Sequence, residues 1–408
     1  MRGKKGASRS LCETPREPLR EYTADLHVHI GRTSSGRPVK ISASADLTFR
    51  RIAEEASERK GIDLIGVIDC HSPDVLDDVA DCLDRGEMEE LPGGGVRFRR
   101  TVLLLGSEIE VKDPGFGAVH VLAFFPTVAD MRSFSDWLAR RMRNVRLSSQ
   151  RVRASARELQ REVLDRGGLF VPAHIFTPHK GLYGSGAPRM AQLLDPEGVS
   201  AVELGLSADT RMAGYLSELD DVPFLTNSDA HSPASIGREY NVFRLAEPTF
   251  IEVARALRGE CGRGVVANYG LHPRLGKYYR SFCPGCGRIL DADDVFTERC
   301  PHCGNDRLVR GVLDRIRSIA DREVPHVPAH RPPYIAQVPL RFVPGVGAKT
   351  LERLLARFGT EMDVLHRADP RELAEVAGEA VAARIIAARE GKLEPEAGGG
   401  GRYGKIRA

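Results

Sequence analysis

Residues 24–30 read ADLHVHI, and within them His27 and His29 stand two positions apart in an apolar run. Side chains at i and i+2 of a strand share a face, so a strand here would bring both imidazoles to one point. Taken alone, the pair fits either a metal site or a half-exposed strand. Working outward, further short apolar runs follow: LIGVID (64–69), TVLLLGSEIEV (101–111), AVHVLAFF (118–125), GLFVPAHI (168–175), SAVELGL (200–206) and PFLTNSDA (223–230). Helical periodicity separates them, over residues 47–59 and in one long stretch over 129–166. Repeated alternation of this kind predicts an α/β domain with a mostly parallel sheet, and about seven units suit a barrel. Chemistry in such barrels collects at the strand C-termini.

The polar residues sit at those ends. Asp69 and His71 follow the second run, and Glu108 and His120 lie in the third and fourth. His174 follows the fifth, and Asp229 with His231 closes the last. Imidazole nitrogens and carboxylate oxygens together suit zinc, manganese or iron, and a carboxylate can bridge two cations. The set therefore predicts a hydrolytic metal centre.

These motifs resemble the polymerase and histidinol phosphatase (PHP) superfamily, over about residues 25–265. The resemblance implies a distorted seven-stranded PHP-type (β/α) barrel with two or three divalent metals, zinc, manganese or magnesium, that hydrolyses phosphoesters. By position, His27, His29, Glu108 and Asp229 would hold one metal, and Glu108, His120 and His174 a second. His71 and His231, with Asp69 nearby, would belong to a third. Asp229, His231 and Glu108 are the expected catalytic residues. Three-metal members commonly carry another histidine six positions after the second of the opening pair, where this chain has Ser35.

Four of the eight cysteines, Cys283, Cys286, Cys300 and Cys303, form two Cys-x-x-Cys pairs with thirteen residues between them. Two such knuckles complete a closed tetrahedron, which predicts one structural zinc. Farther on, VPGVGAKTLERLL (343–355) places Gly345 and Gly347 before a helix that also carries Lys349. Amides exposed there, with the helix N-terminus, can hold a phosphate without reading bases. The segment resembles a helix-hairpin-helix; a plain packing turn is the other reading. Lys277 and Tyr278, in HPRLGKYYR, are candidate nucleic-acid contacts.

Barrel, ribbon and hairpin in this order resemble the endonuclease Q family of DNA repair nucleases, as do PAHIFTPHKGLYGS, VELGLSADT and GREYNVF. The resemblance implies nicking 5′ of deaminated bases (deoxyuridine, deoxyinosine, deoxyxanthosine) or abasic sites in double-stranded DNA, with the lesion turned into a pocket. Tyr183, His179 and Glu203 are candidates for that pocket from their place beside the motifs. A small-molecule phosphoesterase of the histidinol-phosphate phosphatase type is the alternative enzyme, but it leaves ribbon and hairpin without a purpose. A non-catalytic nucleic-acid-binding protein is the other alternative.

The expected organisation is a flexible basic arm (1–22), the metal barrel (23–266), a zinc ribbon (267–320), a proline-rich connector (321–338), an all-α helix-hairpin-helix unit (339–392) and a glycine-rich tail (393–408). With 59 basic and 56 acidic residues, the net charge of +3 excludes little. Distribution says more: residues 140–161 carry eight arginines against one acid, which fits either a phosphate backbone or a solvated helix face. No run is long enough to span a bilayer and the opening has no apolar signal segment, so a cytoplasmic monomer without membrane contact is expected.

Overall fold

The computed structural model describes residues 18–290 and 297–406. Its first nine strands are β1 (Arg20–Val28), β2 (Leu64–Val67), β3 (Glu89–Glu90), β4 (Val96–Phe98), β5 (Thr101–Val111), β6 (Val119–Phe125), β7 (Leu169–Pro172), β8 (Val202–Glu203) and β9 (Phe224–Leu225). Parallel pairing joins β1 to β2 and β2 to β5. β6 runs antiparallel between β5 and β7, and β8 pairs parallel with β9. Backbone bonds from Ser200 N to Phe170 O (2.9 Å) and from His29 N to Ala230 O (3.0 Å) carry the ring from β7 to β8 and from the end of β9 back to β1. The seven strands β1, β2 and β5–β9 thus make the expected distorted barrel. β5 is buried along its whole length, as an apolar run covered on both faces should be.

β1 starts at Arg20, so the last residues assigned to the basic arm belong to the barrel; residues 1–17 lie outside the described ones. Strands β10 (Tyr240–Leu245) and β11 (Gly264–Leu271) extend the sheet antiparallel beyond β1. β11 is thus a barrel-sheet strand, although its residues 267–271 fall in the range read as ribbon.

Helices α1 (Phe49–Glu54), α2 (Pro73–Asp84), α3 (Val128–Ala139), α4 (Ala156–Asp165), α5 (Thr210–Ala213) and α6 (Phe250–Leu257) lie between the strands. The long helix expected over 129–166 is two helices, α3 and α4, separated by an irregular segment. Its breakers were present in the sequence: Ser148 and Ser149 interrupt the pattern, and Ser155 caps α4 by accepting from Glu158 N, the start of an S-x-x-E signature. Within the arginine-rich stretch, Arg146 pairs with Asp74 and Arg151 with Glu110.

The ribbon hairpin consists of β12 (Phe282–Cys283) and β13 (Arg288–Ile289). Helix α7 (Val312–Ile319) packs against the barrel through Val312 and Ile316. The connector has no helix, as its prolines require, but it contributes β14 (Tyr334–Gln337), which pairs parallel with β11. Helices α8 (Ala348–Phe358), α9 (Glu361–His366), α10 (Pro370–Ala377) and α11 (Glu379–Arg389) pack around Leu354, Leu373 and Ile385, in a core continuous with the barrel's. Lys60, almost fully buried, meets Glu361 at 2.6 Å across that junction. The final segment pairs β15 (Pro395–Glu396) with β16 (Lys405–Ile406) and folds back onto residues 274–277, so it is more than a glycine-rich tail. Among the described residues no helix is long and apolar enough to cross a membrane.

Candidate metal centre

Strand alternation delivers His27 and His29 to the inside of the barrel end, where both are fully buried. Each imidazole is fixed by a carboxylate on Nδ1: Glu203 at 2.8 Å for His27 and Asp69 at 3.0 Å for His29. That bond leaves each Nε2 as the free nitrogen, and both Nε2 atoms are buried without a hydrogen-bond partner among the described residues. Orphaned nitrogens aimed at a common point are what a cation site requires.

Glu108 stands at the middle. Its Oε1 lies 2.8 Å from His120 Nδ1, 3.4 Å from His174 Nε2 and 3.7 Å from His27 Nε2, and its Oε2 lies 3.6 Å from His29 Nε2. His120 Nδ1 has no hydrogen bond despite its short distance, so the two groups face a common point more than they face each other. Asp229 Oδ1 is 3.4 Å from His27 Nε2, 3.6 Å from His29 Nε2 and 3.3 Å from His231 Nε2. Three sets have ligand atoms close enough to share an ion: His27, His29 and Glu108; Glu108, His120 and His174; and His29, Asp229 and His231. The donor chemistry, nitrogen with carboxylate oxygen, fits divalent metals.

Burial alone would raise both carboxylates, but the side chains facing them reverse it. His120 and Lys40 hold Glu108 well below the usual range, and His27 with His231 does the same for Asp229. Burial likewise lowers His27, yet Glu203, Asp229 and Glu108 together lift it to about 10. The pocket is therefore an anionic cage that demands positive charge. Backbone strain marks the same place. His174 and Asp229 have φ of 30° and 46°, unusual for residues with a Cβ, and such strain clusters at functional sites.

Not every expected ligand joins these sets. His71 spends Nδ1 on Ser107 Oγ (2.8 Å) and Nε2 on Leu147 O (3.3 Å). Asp69 bonds His29 Nδ1 and Ile30 N (2.8 Å), so it positions a histidine. Ser35 bonds Thr33 at 3.0 Å, away from the centre. Lys40 enters instead, with Nζ 3.2 Å from Glu108 Oε2 and 2.6 Å from Ser149 Oγ. Sequence reading passed over Lys40 because a lysine is ordinarily solvated. Glu203 is fully buried behind His27. Tyr183, also fully buried, stacks on Phe176 in the core and does not face the cavity.

Above the centre opens a cavity of about 710 Å³, whose lining includes Lys40, His179, Lys277, Tyr278, Arg238 and Tyr403. His179 and Tyr278 meet edge to face at 5.2 Å. The ribbon cysteines also assemble. Cys283 and Cys303 sulfurs lie 3.6 Å apart, and Cys286 and Cys300 sulfurs 3.7 Å. A tetrahedral zinc with bonds of about 2.3 Å requires sulfurs roughly 3.8 Å apart. The four residues fit a structural zinc. At the hairpin, Gly345 and Gly347 precede α8, and Lys349 lies exposed on its first turn.

A family profile described as PHP-associated matches residues 209–261. The uncharacterised protein YqxK of Bacillus subtilis (strain 168) is 52% identical over 391 residues, 95% of this chain and 100% of that protein. The lesion-specific endonuclease PfuEndoQ of Pyrococcus furiosus superimposes with a TM-score of 0.82 at 32% identity, covering 95% of each chain. The chain belongs to the endonuclease Q family. A second endonuclease Q structure, a complex with a 27-mer duplex substrate with an abasic lesion at the active site, gives a TM-score of 0.81 at 32% identity over 95% of this chain and 96% of that one. Like the endonuclease Q enzymes, this protein is a DNA repair endonuclease with a PHP-type barrel.

Proposed function

We propose that the protein acts as a monomer on duplex DNA and hydrolyses the phosphodiester on the 5′ side of deoxyuridine, deoxyinosine, deoxyxanthosine or an abasic site. The observation that carries this is Glu108 shared between two ion-competent sets beneath a cavity large enough for a nucleotide. Support also comes from the relative that holds an abasic duplex at its active site and matches nearly the whole chain.

In this reading His27, His29, Glu108 and Asp229 hold one divalent metal and Glu108, His120 and His174 a second, zinc, manganese or magnesium. When bound, such cations polarise the phosphate and generate hydroxide near neutral pH. The chain's own residues do the rest. Glu203 and Asp69 fix the tautomers of His27 and His29, so that each presents Nε2. Glu108 and Asp229 stay ionised despite burial and offset cation repulsion. His231, about one third exposed, lines the cavity beside Asp229, where it would face an incoming ester. Residues 23–266 would perform hydrolysis. The ribbon within 267–320 and the helical unit within 339–392 would grip the duplex across the connector. Lys277 and Tyr278 would contact it at the cavity, and Gly345, Gly347 and Lys349 at a backbone phosphate. Extrusion into the cavity costs least for a mispaired or missing base.

The test is an end-labelled duplex with one defined lesion, incubated with protein and magnesium, manganese or zinc, and product ends mapped to the nucleotide. A single nick 5′ of the lesion, with intact duplex nearly untouched, is the expected result. Equal cutting of undamaged duplex, or release of phosphate from small monoesters with no nick in any duplex, would overturn it.

A further inference from the structure

Three cations converge on the cavity, and among the described residues none of them forms an ion pair, although Glu108, Glu203 and Asp229 line the same cavity. Arg238, Lys277 and Arg341 all line it. Arg238 is nearly buried, and its donors go to neutral acceptors: Nε to Ser228 O at 2.8 Å, Nη2 to Asp229 O at 3.3 Å and Nη1 to the Tyr403 hydroxyl. Among the described residues Arg341 bonds Ser235 Oγ, at 3.2 Å, and Lys277 Nζ sits 4.6 Å from the centre of the Tyr403 ring. Burial and the neighbouring Arg238 push the Arg341 guanidinium down from its ordinary value, against an opposing pull from Tyr403 and Glu361. Like charges gathered in a partly desolvated space are unfavourable unless an anion joins them.

What gathers them is the C-terminal hairpin. Gly398 N bonds Arg274 O (2.7 Å), Gly401 N bonds Lys277 O (3.2 Å) and Gly404 N bonds Leu275 O (3.0 Å), which presents Tyr403 to the cavity. The glycines are needed for this course. Gly400 and Gly401 have φ of 61° and 83°, and a Cβ on Gly404 would lie 2.1 Å from Glu396 O. Tyr403 thus offers a hydroxyl to Arg238 and a π-face to Lys277, while its ring abuts Phe342 at 5.9 Å beside Arg341. Arg238 reaches directly to the backbone of Asp229, so the cluster adjoins the metal centre.

We propose that Arg238, Lys277 and Arg341, assembled around Tyr403, form a second phosphate subsite, which takes a backbone phosphodiester flanking the one cut at the metals. This rests on the nuclease reading above, which leaves Arg238, Arg341 and Tyr403 without a role. Holding two phosphates of one strand fixes the register of the ester over the metals, and a guanidinium supplies the forked donors a phosphate accepts. Tyr403 is a positioning residue that acts through the cations.

The experiment measures duplex affinity in chelator, without turnover, using lesion duplexes in which each phosphate near the lesion is replaced singly by neutral methylphosphonate. For the wild-type protein, one flanking position should raise Kd roughly tenfold, as expected for loss of charge-assisted bonds. Lys277→Gln and Arg341→Gln, folded as judged by thermal melting, should bind unmodified duplex about that much more weakly and be indifferent to methylphosphonate at that position. Tyr403→Ala should behave in the same way, and Tyr403→Phe, which keeps the π-face, should recover most of the affinity. The subsite is overturned if no methylphosphonate affects the wild type, or if the variants lose the same further factor on the modified duplex. Inorganic phosphate is the second probe: competition by it should weaken in Arg341→Gln, and equal competition in both proteins counts against the site. Failure to nick any lesion, with the methylphosphonate pattern intact, would sink the nuclease reading and leave the subsite standing.

Discussion

Asp229 shows how one position combines strain and charge. Its backbone lies at φ 46°, its Oδ1 faces three histidines, and its carboxyl stays ionised despite burial because His27 and His231 outweigh desolvation. Asparagine tolerates this left-handed conformation better than other residues with a side chain, so Asp229→Asn changes the ligand with little backbone penalty. A neutral amide is a much poorer metal ligand. Turnover should fall by at least about a hundredfold, consistent with the losses seen when metal-centre groups are altered, while duplex affinity stays within a few-fold. Nicking assays and anisotropy on the same preparation check both halves, and near-normal turnover would remove Asp229 from the centre. The residues that prediction from sequence found and missed differ in kind. Histidines at strand ends announce themselves, because few other roles explain them. Lys40, Arg238 and Tyr403 look like ordinary surface residues until distant segments enclose them.

At the scale of elements, α8 separates two glycines that the sequence offered as a pair. Gly345 has φ 92°, and a Cβ there would lie 2.8 Å from Val381 Cγ2, so its requirement is conformational and steric. Gly347 has an ordinary φ and nothing within 4 Å of an added Cβ, yet it occupies the N-cap of α8 with no side-chain cap. It leaves the helix N-terminus open. Gly347→Asp should therefore stabilise α8, by about 1 kcal/mol from capping and the helix dipole, and simultaneously repel phosphate. We expect an unchanged or higher melting temperature and duplex binding weakened about tenfold at low salt, alike on every sequence, as loss of a backbone contact requires. Gly345→Val should instead lower the melting temperature. Unchanged affinity in Gly347→Asp would reduce the loop to a packing turn.

For the whole molecule, Glu239 links pH to folding. It is fully buried; its Oε1 accepts from Leu271 N at 2.6 Å, and its Oε2 has no hydrogen-bond partner among the described residues. Burial pushes its carboxyl up to about 8, from an ordinary 4.5. Between those values the native state holds a proton that the unfolded chain has released. Stability from this group is therefore complete below about pH 4.5, falls as pH rises through the window and is fully lost above about 8, at a slope approaching 1.4 kcal/mol per pH unit. Glu239→Gln removes that slope. Its advantage over the wild type in denaturant unfolding should be small at pH 5, grow to pH 8 and level off beyond. A constant difference across that range would show that Glu239 does not titrate on unfolding.

The sequence by itself determined the alternating α/β order, the candidate ligands at the barrel's strand ends and the two cysteine knuckles, because hydrophobic period and ligand chemistry are local properties. TVLLLGSEIEV is β5 to the residue, and of the histidines read from the sequence, His27, His29, His120 and His174 gather around its Glu108. Only the tertiary structure decided that His71 turns to Ser107 and Leu147, that Ser149, between α3 and α4, meets Glu108, and that Tyr403 returns to the cavity 165 residues after Arg238. Each depends on contacts between segments far apart in the chain. Whether a hydroxyl, an ammonium or a glycine run meets solvent or a partner is settled by which backbone closes over it, and no local pattern carries that information.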